Sequence, residues 1–334
     1  MNVHVRINAF SALGQSLKGL NFTDFQSLAE QAARENPWFT KDNVRMALDG
    51  IVEFLQKDKL EQWTAPYIIP TESKKVALVM AGNIPLVGFH DLLSVLICGH
   101  SALIKLSSKD SVLLKYILNK LFELEPSFRS KVEFAEQLKN FDAVIATGSD
   151  NSARYFDYYF GKYPNIIRKN RTSVAILTGH EKTETLHTLG IDVFSYFGLG
   201  CRNISKLYVP EGYTFDTLFK SWEPYQPVIH HHKYCNNYDY QKSIMLINGV
   251  AFLDNGFVML QENSKMVSPI SVVYYEYYKD KNELTEKLTI AGDKIQCIVG
   301  NGTPATVPFG KAQCPELWDY ADQVNTLQFL TSLP

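Results

Sequence analysis

The sequence predicts an α/β protein built on parallel sheets. Short apolar runs of strand length alternate with amphipathic segments of helix length along most of the chain. Between Lys75 and Leu106 a strand, a helix and a second strand follow one another within about thirty residues, the length of a right-handed βαβ unit. A chain of 334 residues with 46% hydrophobic and 20% charged residues can bury more than one core and is too apolar to be disordered.

The elements follow in order. The first sixty residues read as helices, one capped by Thr40 and carrying Val44, Ala47, Leu48, Ile51, Val52 and Leu55 on one stripe, after a break at Asn36-Pro37. Val76 to Met80 is a strand, Ala81 to Pro85 a turn, Leu86 to about Cys98 a helix ending near Gly99, and Ala102 to Leu106 a strand. Ser107-Ser108 opens a helix through Leu113, Leu114, Ile117, Leu118 and Leu121. Asp142 to Ala146 is a strand leading into Thr147-Gly148-Ser149 and another helix. Strands are expected at Ser173 to Leu177, Lys206 to Val209, Ser243 to Ile247, Ile270 to Tyr277 and Ile295 to Val299, with helices near Phe215 to Trp222 and at Lys281 to Ile290.

A net charge of −2 gives no footprint for nucleic acid or an anionic membrane. Five widely spaced cysteines without a CxxC pair fit a reducing cytoplasm better than a disulfide framework. The first fifteen residues lack a charged start followed by an apolar core, and no apolar run has the length of a membrane span. His230, His231 and His232 with Cys235 read as a polar surface loop, because adjacent histidines diverge where zinc ligands must converge; no metal is expected.

Four segments can carry chemistry. Cys201 follows a Gly-Leu-Gly turn and precedes a strand, a setting in which the backbone can present a sulfur and nearby N–H groups to a carbonyl. Its thiol can form a thioester, or it can be a small buried hydrophobe beside a glycine cap. Asn83, in the turn AGNIP, either caps the following helix or offers an uncharged N–H to a developing oxyanion. Lys105, at a strand end beside Ser107 and Ser108, either reaches solvent or meets a ribose or phosphate. Thr147, Gly148 and Ser149 open a helix whose free N–H groups suit a pyrophosphate, without the full GxGxxG pattern.

Taken in order, AGNIP, IKLSS, TGS, FGLGCRNISKLYVPEG, SPISVVYYEYYKD and VPFG resemble the aldehyde dehydrogenase superfamily, and most closely its acyl-CoA reductases of the bacterial bioluminescence type. The resemblance implies two α/β lobes. Residues 1–190, with a return of about 305–334, would form a Rossmann-like nicotinamide-binding lobe, and 191–304 the cysteine lobe. It implies that Cys201 accepts the acyl group, that Asn83 helps to form the oxyanion hole, and that Lys105 holds the adenosine ribose or its 2′-phosphate, with Ser107, Ser108, Thr147, Gly148 and Ser149 at the cofactor. NADPH is the expected cofactor, with NADH accepted as well, because Ser108 stands where NAD-preferring members carry a glutamate.

Two departures shape the expected reaction. The glutamate that activates water in hydrolytic members is replaced near Ile167, in the window NIIRKNRTS, so hydride or thiol rather than water should resolve a thioester. A second glutamate expected ahead of SPISVV, for the nicotinamide ribose, is missing; Lys265 and Glu262 are the nearest residues. The resemblance therefore implies reduction of an acyl-CoA to an aldehyde by a cytoplasmic homodimer working with an acyltransferase or acyl-activating partner. The alternatives are a catalytically weak acyl-binding or acyltransferase-partner protein, or a reductase of another activated acyl donor.

Overall fold

The computed structural model describes residues 1–148 and 150–334, with backbone alone at 150 and 151. The chain divides into two compact units, Met1–Asn170 with Glu316–Pro334, and Arg171–Pro315.

The first unit opens with four helices, α1 (Val3–Lys18), α2 (Phe22–Glu35), α3 (Lys41–Phe54) and α4 (Lys57–Thr64). Asn2, Asn21 and Thr40 cap the first three, each accepting a backbone N–H three residues on. Then come β1 (Lys75–Val79), α5 (Phe89–Ile97), β2 (Ser101–Lys105), α6 (Val112–Leu124), β3 (Val132–Phe134), β4 (Ala143–Thr147), α7 (Asp150–Phe160) and β5 (Asn165–Arg168). Among the described residues these strands form one sheet in the order β3-β2-β1-β4-β5, parallel at every pairing. Val76, Leu78, Ala102, Ile104, Ala143 and Ile145 point to the face covered by α1, α5 and α6. The opposite face carries Ala77, Val79, Val144 and Ala146, against Phe156 and Phe160 of α7 and Leu138 and Phe141 of the β3–β4 connection.

The second unit contains β6 (Thr172–Ile176), α8 (Thr183–Phe194), β7 (Ile204–Pro210), α9 (Asp216–Trp222), α10 (His232–Ile247), β8 (Leu253–Asp254), β9 (Met259–Glu262), β10 (Val272–Tyr278), α11 (Lys281–Ala291) and β11 (Ile295–Val299). Its sheet runs β11-β6-β7-β10-β9-β8, parallel except for the β8–β9 pair. The chain then re-enters the first unit, where α12 (Thr326–Thr331) packs. The Arg168 guanidinium holds this returning segment. It donates to both oxygens of Asp91, at 3.2 and 2.6 Å, to the Ala321 carbonyl and to Thr326 Oγ1, all within the first unit.

Five expectations are corrected. Residues Ser243 to Ile247 are the last turn of α10, not a strand. A short apolar run looks the same in either state, and here Tyr234, Tyr238 and Met245 supply the helix's buried stripe while Ile247 is exposed. The histidines lie at a helical junction rather than in a loop: His230 ends a 3₁₀ turn, and His232 and Cys235 are in the first turn of α10. Helix α5 starts at Phe89, not Leu86, because Leu86 is left-handed (φ 59°) and gives its N–H to Asp110 at 2.6 Å. Ser107-Ser108 does not open α6, which starts at Val112, where the Glu35 carboxylate accepts the N–H groups of Ser111 and Val112. Unit boundaries fall at 170/171 and 315/316 rather than near 190 and 304, since β6 hydrogen-bonds into the second sheet.

Candidate active site

In the second unit, Cys201 sits in the turn between α8 and β7. The approach is unusual: Tyr196, Phe197 and Gly198 are consecutively left-handed, with φ of 50°, 57° and 78°. Only glycine adopts that region freely, so the two aromatic residues must be held there by their surroundings. Tyr196 is buried, and the Phe197 ring packs on His231 with centroids 4.3 Å apart. The histidine cluster thus has a packing role at the turn.

Asn203 fixes the turn. It is 2% exposed; its Oδ1 accepts the Gly200 N–H at 2.8 Å, and its Nδ2 donates to the carbonyls of Ser195 at 2.8 Å and Asp192 at 3.1 Å. One amide side chain therefore joins the end of α8 to the residue before the cysteine. Ser173 Oγ donates to the Cys201 carbonyl at 3.1 Å, and Arg202 Nε donates to the Ala312 carbonyl. Asp192 accepts the N–H groups of Gly310 and Ala312 at 2.6 and 2.8 Å, tying VPFG to the same turn. Burial raises its carboxyl to about 6 despite those bonds.

Cys201 is half-buried. Cys98 and Cys297 are buried, and burial pushes the Cys98 thiol up to about 12. Burial and the Asp239 carboxylate, 3.8 Å away, also push Cys235 up. A thiol held protonated is a poor nucleophile.

In the first unit, the remaining candidates gather at the carboxyl ends of three adjacent strands. Val79, last in β1, is in register with Lys105 of β2 and Ala146 of β4, so Asn83, Lys105, Thr147 and Gly148 follow neighbouring strand ends. Gly82 packs so closely on the next loop that a Cβ there would lie 2.5 Å from Ser107 Oγ. Asn36 Nδ2 donates to the Gly82 carbonyl at 3.0 Å, and Asp110 accepts the Leu86 N–H, so the AGNIP turn is held on both sides of Asn83. Asn83 is exposed and precedes α5 by six residues; the cap position belongs to Gly88, which rules out the capping alternative. Lys105 is exposed and, among the described residues, has no ion-pair partner. Gly148 admits Phe156 of α7, since a Cβ would lie 2.8 Å from that ring. Ser149 lies outside the described residues.

Asp110 and Glu35 were not singled out from sequence. Burial, with the Glu35 charge adding to it, raises the Asp110 carboxyl to about 7, so near neutrality it holds the Leu86 N–H while partly protonated.

A model of the LuxC acyl-CoA reductase family matches residues 11–210, a span that contains Asn83, Lys105, Thr147, Gly148 and Cys201. The chain belongs to that family. It is accordingly an oxidoreductase that acts on acyl groups and aldehydes, as the motif order led one to expect. A search of curated proteins returned no match. Solved structures with similar folds include an aldehyde dehydrogenase from Bacillus cereus in complex with NAD+ (14% identity, TM-score 0.63, covering 90% of this chain and 72% of that one). Aldehyde dehydrogenase 21 of Physcomitrella patens, solved with succinate, covers 99% of this chain and 84% of its own, at 12% identity and TM-score 0.69. A variant of aldehyde dehydrogenase C from Pseudomonas syringae, solved with NAD+ and octanal, gives 12% identity, TM-score 0.64 and coverage of 91% and 73%. At these identities the likeness concerns the fold, which is that of the aldehyde dehydrogenases. Among the described residues no helix is long and apolar enough to cross a membrane.

Proposed function

We propose that the enzyme reduces an acyl-CoA to the aldehyde through a thioester on Cys201. The observation that carries this reading is the Cys201 turn itself: a half-buried thiol after three left-handed residues, clamped by Asn203. Strain maintained by surrounding contacts at a nucleophile is a mark of pre-organisation. The Cys201 thiolate attacks the acyl carbonyl; the new carbon–sulfur bond replaces the one to coenzyme A, which leaves as its thiol after taking up a proton. Asn83 Nδ2 and the Cys201 N–H are the donors assigned to the oxyanion.

The residues at the first unit's strand ends fit a nicotinamide cofactor. Lys105 is an exposed cation without a carboxylate partner among the described residues, and Ser107 and Ser108 add hydroxyls beside Gly82, which packs against the Ser107 side chain. The relatives solved with NAD+ support the same class of cofactor. When bound, it supplies the hydride that converts the thioester to the aldehyde level. Cys201 then leaves as thiolate, and the aldehyde is released.

The fate of the thioester depends on what stands at β5. Ile167 occupies the position expected of a hydrolytic glutamate, and the neighbouring Arg168 is committed to Asp91. Without a base there, water is a poor acceptor of the acyl group. NADPH is preferred to NADH, coenzyme A is the acyl carrier, and the working form is a homodimer served by an acyl-activating partner.

The test is intact-mass analysis after exposure to acyl-CoA. The wild-type protein should gain one acyl mass and lose it, as aldehyde, on addition of NADPH. Cys201→Ala should gain none while keeping its melting temperature. Label on Cys98, Cys235, Cys297 or Cys314 in the variant would overturn the assignment.

A further inference from the structure

Past β11 the chain runs through residues 308–315 without helix or strand before it returns to the first unit. Its start is held where Val307 bridges Val299 of β11. Beyond that point, among the described residues, three hydrogen bonds tie it to the rest of its unit. All three go to the Cys201 turn or to the helix leading into it. Gly310 gives its N–H to Asp192 Oδ2 at 2.6 Å and Ala312 gives its own to Asp192 Oδ1 at 2.8 Å, while the Ala312 carbonyl accepts Arg202 Nε. Phe309 and Ala312 pack on the unit's core. Gly310 lies so close to α8 that a Cβ would come 2.9 Å from Thr188 Cβ, one turn before Asp192.

Asp192 is where this segment meets the cysteine turn. Its backbone carbonyl accepts Asn203 Nδ2 at 3.1 Å. The Ala312 peptide, gripped at its N–H by Asp192, is gripped at its carbonyl by Arg202, the neighbour of Cys201. Both carboxylate oxygens face N–H donors, an arrangement that only the ionised form satisfies; a proton on either oxygen sets a donor against a donor. The side chain is completely buried, and burial raises the carboxyl to about 6. Among the groups around it, Arg202 draws the carboxyl down. The Tyr225 phenol is pushed up by burial and by the Asp192 charge, so it is neutral, and His187 stacks on it. Lys311, between the two N–H donors, is exposed.

We propose that Asp192 is a positioning residue for Cys201: its ionised carboxylate latches residues 308–315 to the cysteine turn, and uptake of a proton releases them. A released segment no longer holds Ala312 against Arg202, so the turn loses a support beside its nucleophile. The proposal rests on the thioester reading above and adds to it a residue that acts through Ala312 and Arg202 rather than on the reacting atoms.

Two measurements on the full-length protein test it, each between about pH 5 and 8. The first is single-turnover acylation by acyl-CoA, read by intact mass. Acylation follows the thiolate, whose fraction falls about tenfold per pH unit below the thiol's own pKa. Below about pH 6 the wild-type rate should steepen toward about a hundredfold per unit, because a second group must then be ionised. Asp192→Asn should be slower at pH 8 by about tenfold, the size of one charge-assisted bond, and should show no second break. Arg202→Gln removes a charge that keeps Asp192 ionised, so it should move that break to higher pH. The second measurement is hydrogen exchange at residues 308–315, corrected for the exchange rate of unstructured chain. Protection should drop below about pH 6 in wild type and be low throughout in Asp192→Asn.

Stability separates this role from a merely structural one. A carboxyl raised from 3.8 to about 6 contributes stability that is complete below pH 4 and lost as pH rises through 6. Wild type should therefore gain on Asp192→Asn in melting temperature as pH falls from 7 to 5, while its acylation rate falls toward that of the variant. A wild-type rate that follows the thiolate alone, a second break that survives in Asp192→Asn, or protection that does not change near pH 6 overturns the proposal. A wild type that shows the exchange step yet takes up no acyl group removes the thioester reading and leaves the latch.

Discussion

Asn203→Ala should disable the cysteine turn. The side chain makes three good hydrogen bonds: one from the Gly200 N–H at 2.8 Å, and two to the Ser195 and Asp192 carbonyls at 2.8 and 3.1 Å. Bonds of this kind contribute about 1 kcal/mol each, and a buried N–H left without a partner costs about 1–3 kcal/mol. Gly200 is buried, so the loss sums to about 3–5 kcal/mol. For a domain of this size that lowers the melting temperature by about 10 °C. The assay is a thermal melt followed by intact-mass acylation well below the variant's own transition. There the variant should still be folded, yet acylate Cys201 much more slowly, because the anchors at Ser195 and Gly200, on either side of the left-handed segment Tyr196 to Gly198, are lost. Asn203→Asp keeps the acceptor for Gly200 but sets an oxygen against two carbonyls, and should be at least as damaging. A melting temperature within about 2 °C of wild type, with unchanged acylation, would refute the clamp.

Asn83→Ala should slow acylation by about a hundred- to a thousandfold with little change in melting temperature, since the side chain is exposed and does not cap α5. A variant that acylates at the normal rate shows that the oxyanion donor lies elsewhere. Ser108→Glu should shift the ratio of kcat/KM values from NADPH toward NADH by placing a carboxylate beside Lys105; a wild type that already favours NADH strongly contradicts the reading. Asp110→Asn should remove a pH dependence. The Asp110 carboxyl is raised from 3.8 to about 7 by burial, so its contribution to stability is complete below pH 4 and lost as pH rises to 7. The variant should therefore gain on wild type between pH 4 and 7, by on the order of 4 kcal/mol at most, and hold that lead above pH 7. A stability difference that stays constant across that range would show that Asp110 does not titrate there.

The alternation of strands and helices, the Thr40 cap, the cysteine turn and the family itself were legible in the sequence, because each rests on neighbours along the chain. Apolar periodicity marks an element, two glycines mark a bend, and ordered motifs mark an ancestry. The strand expected at Ser243 to Ile247 failed for the same reason that others succeeded. Local pattern cannot distinguish a short apolar strand from a helix end, and the packing of Tyr234, Tyr238 and Met245 decided it. Other features depended on residues far apart in the chain. Glu35 starts α6 from another helix, Asp110 stops α5 from starting early, and Asn36 grips Gly82 across 46 positions. Strand Thr172–Ile176 carries no mark of which sheet it joins, since parallel strands are apolar on both faces and pair through backbone alone. Lys105, Lys139 and Lys162 likewise belong to no motif, and they line one cleft only because α7 and the short β3–β4 connection share that face of the sheet.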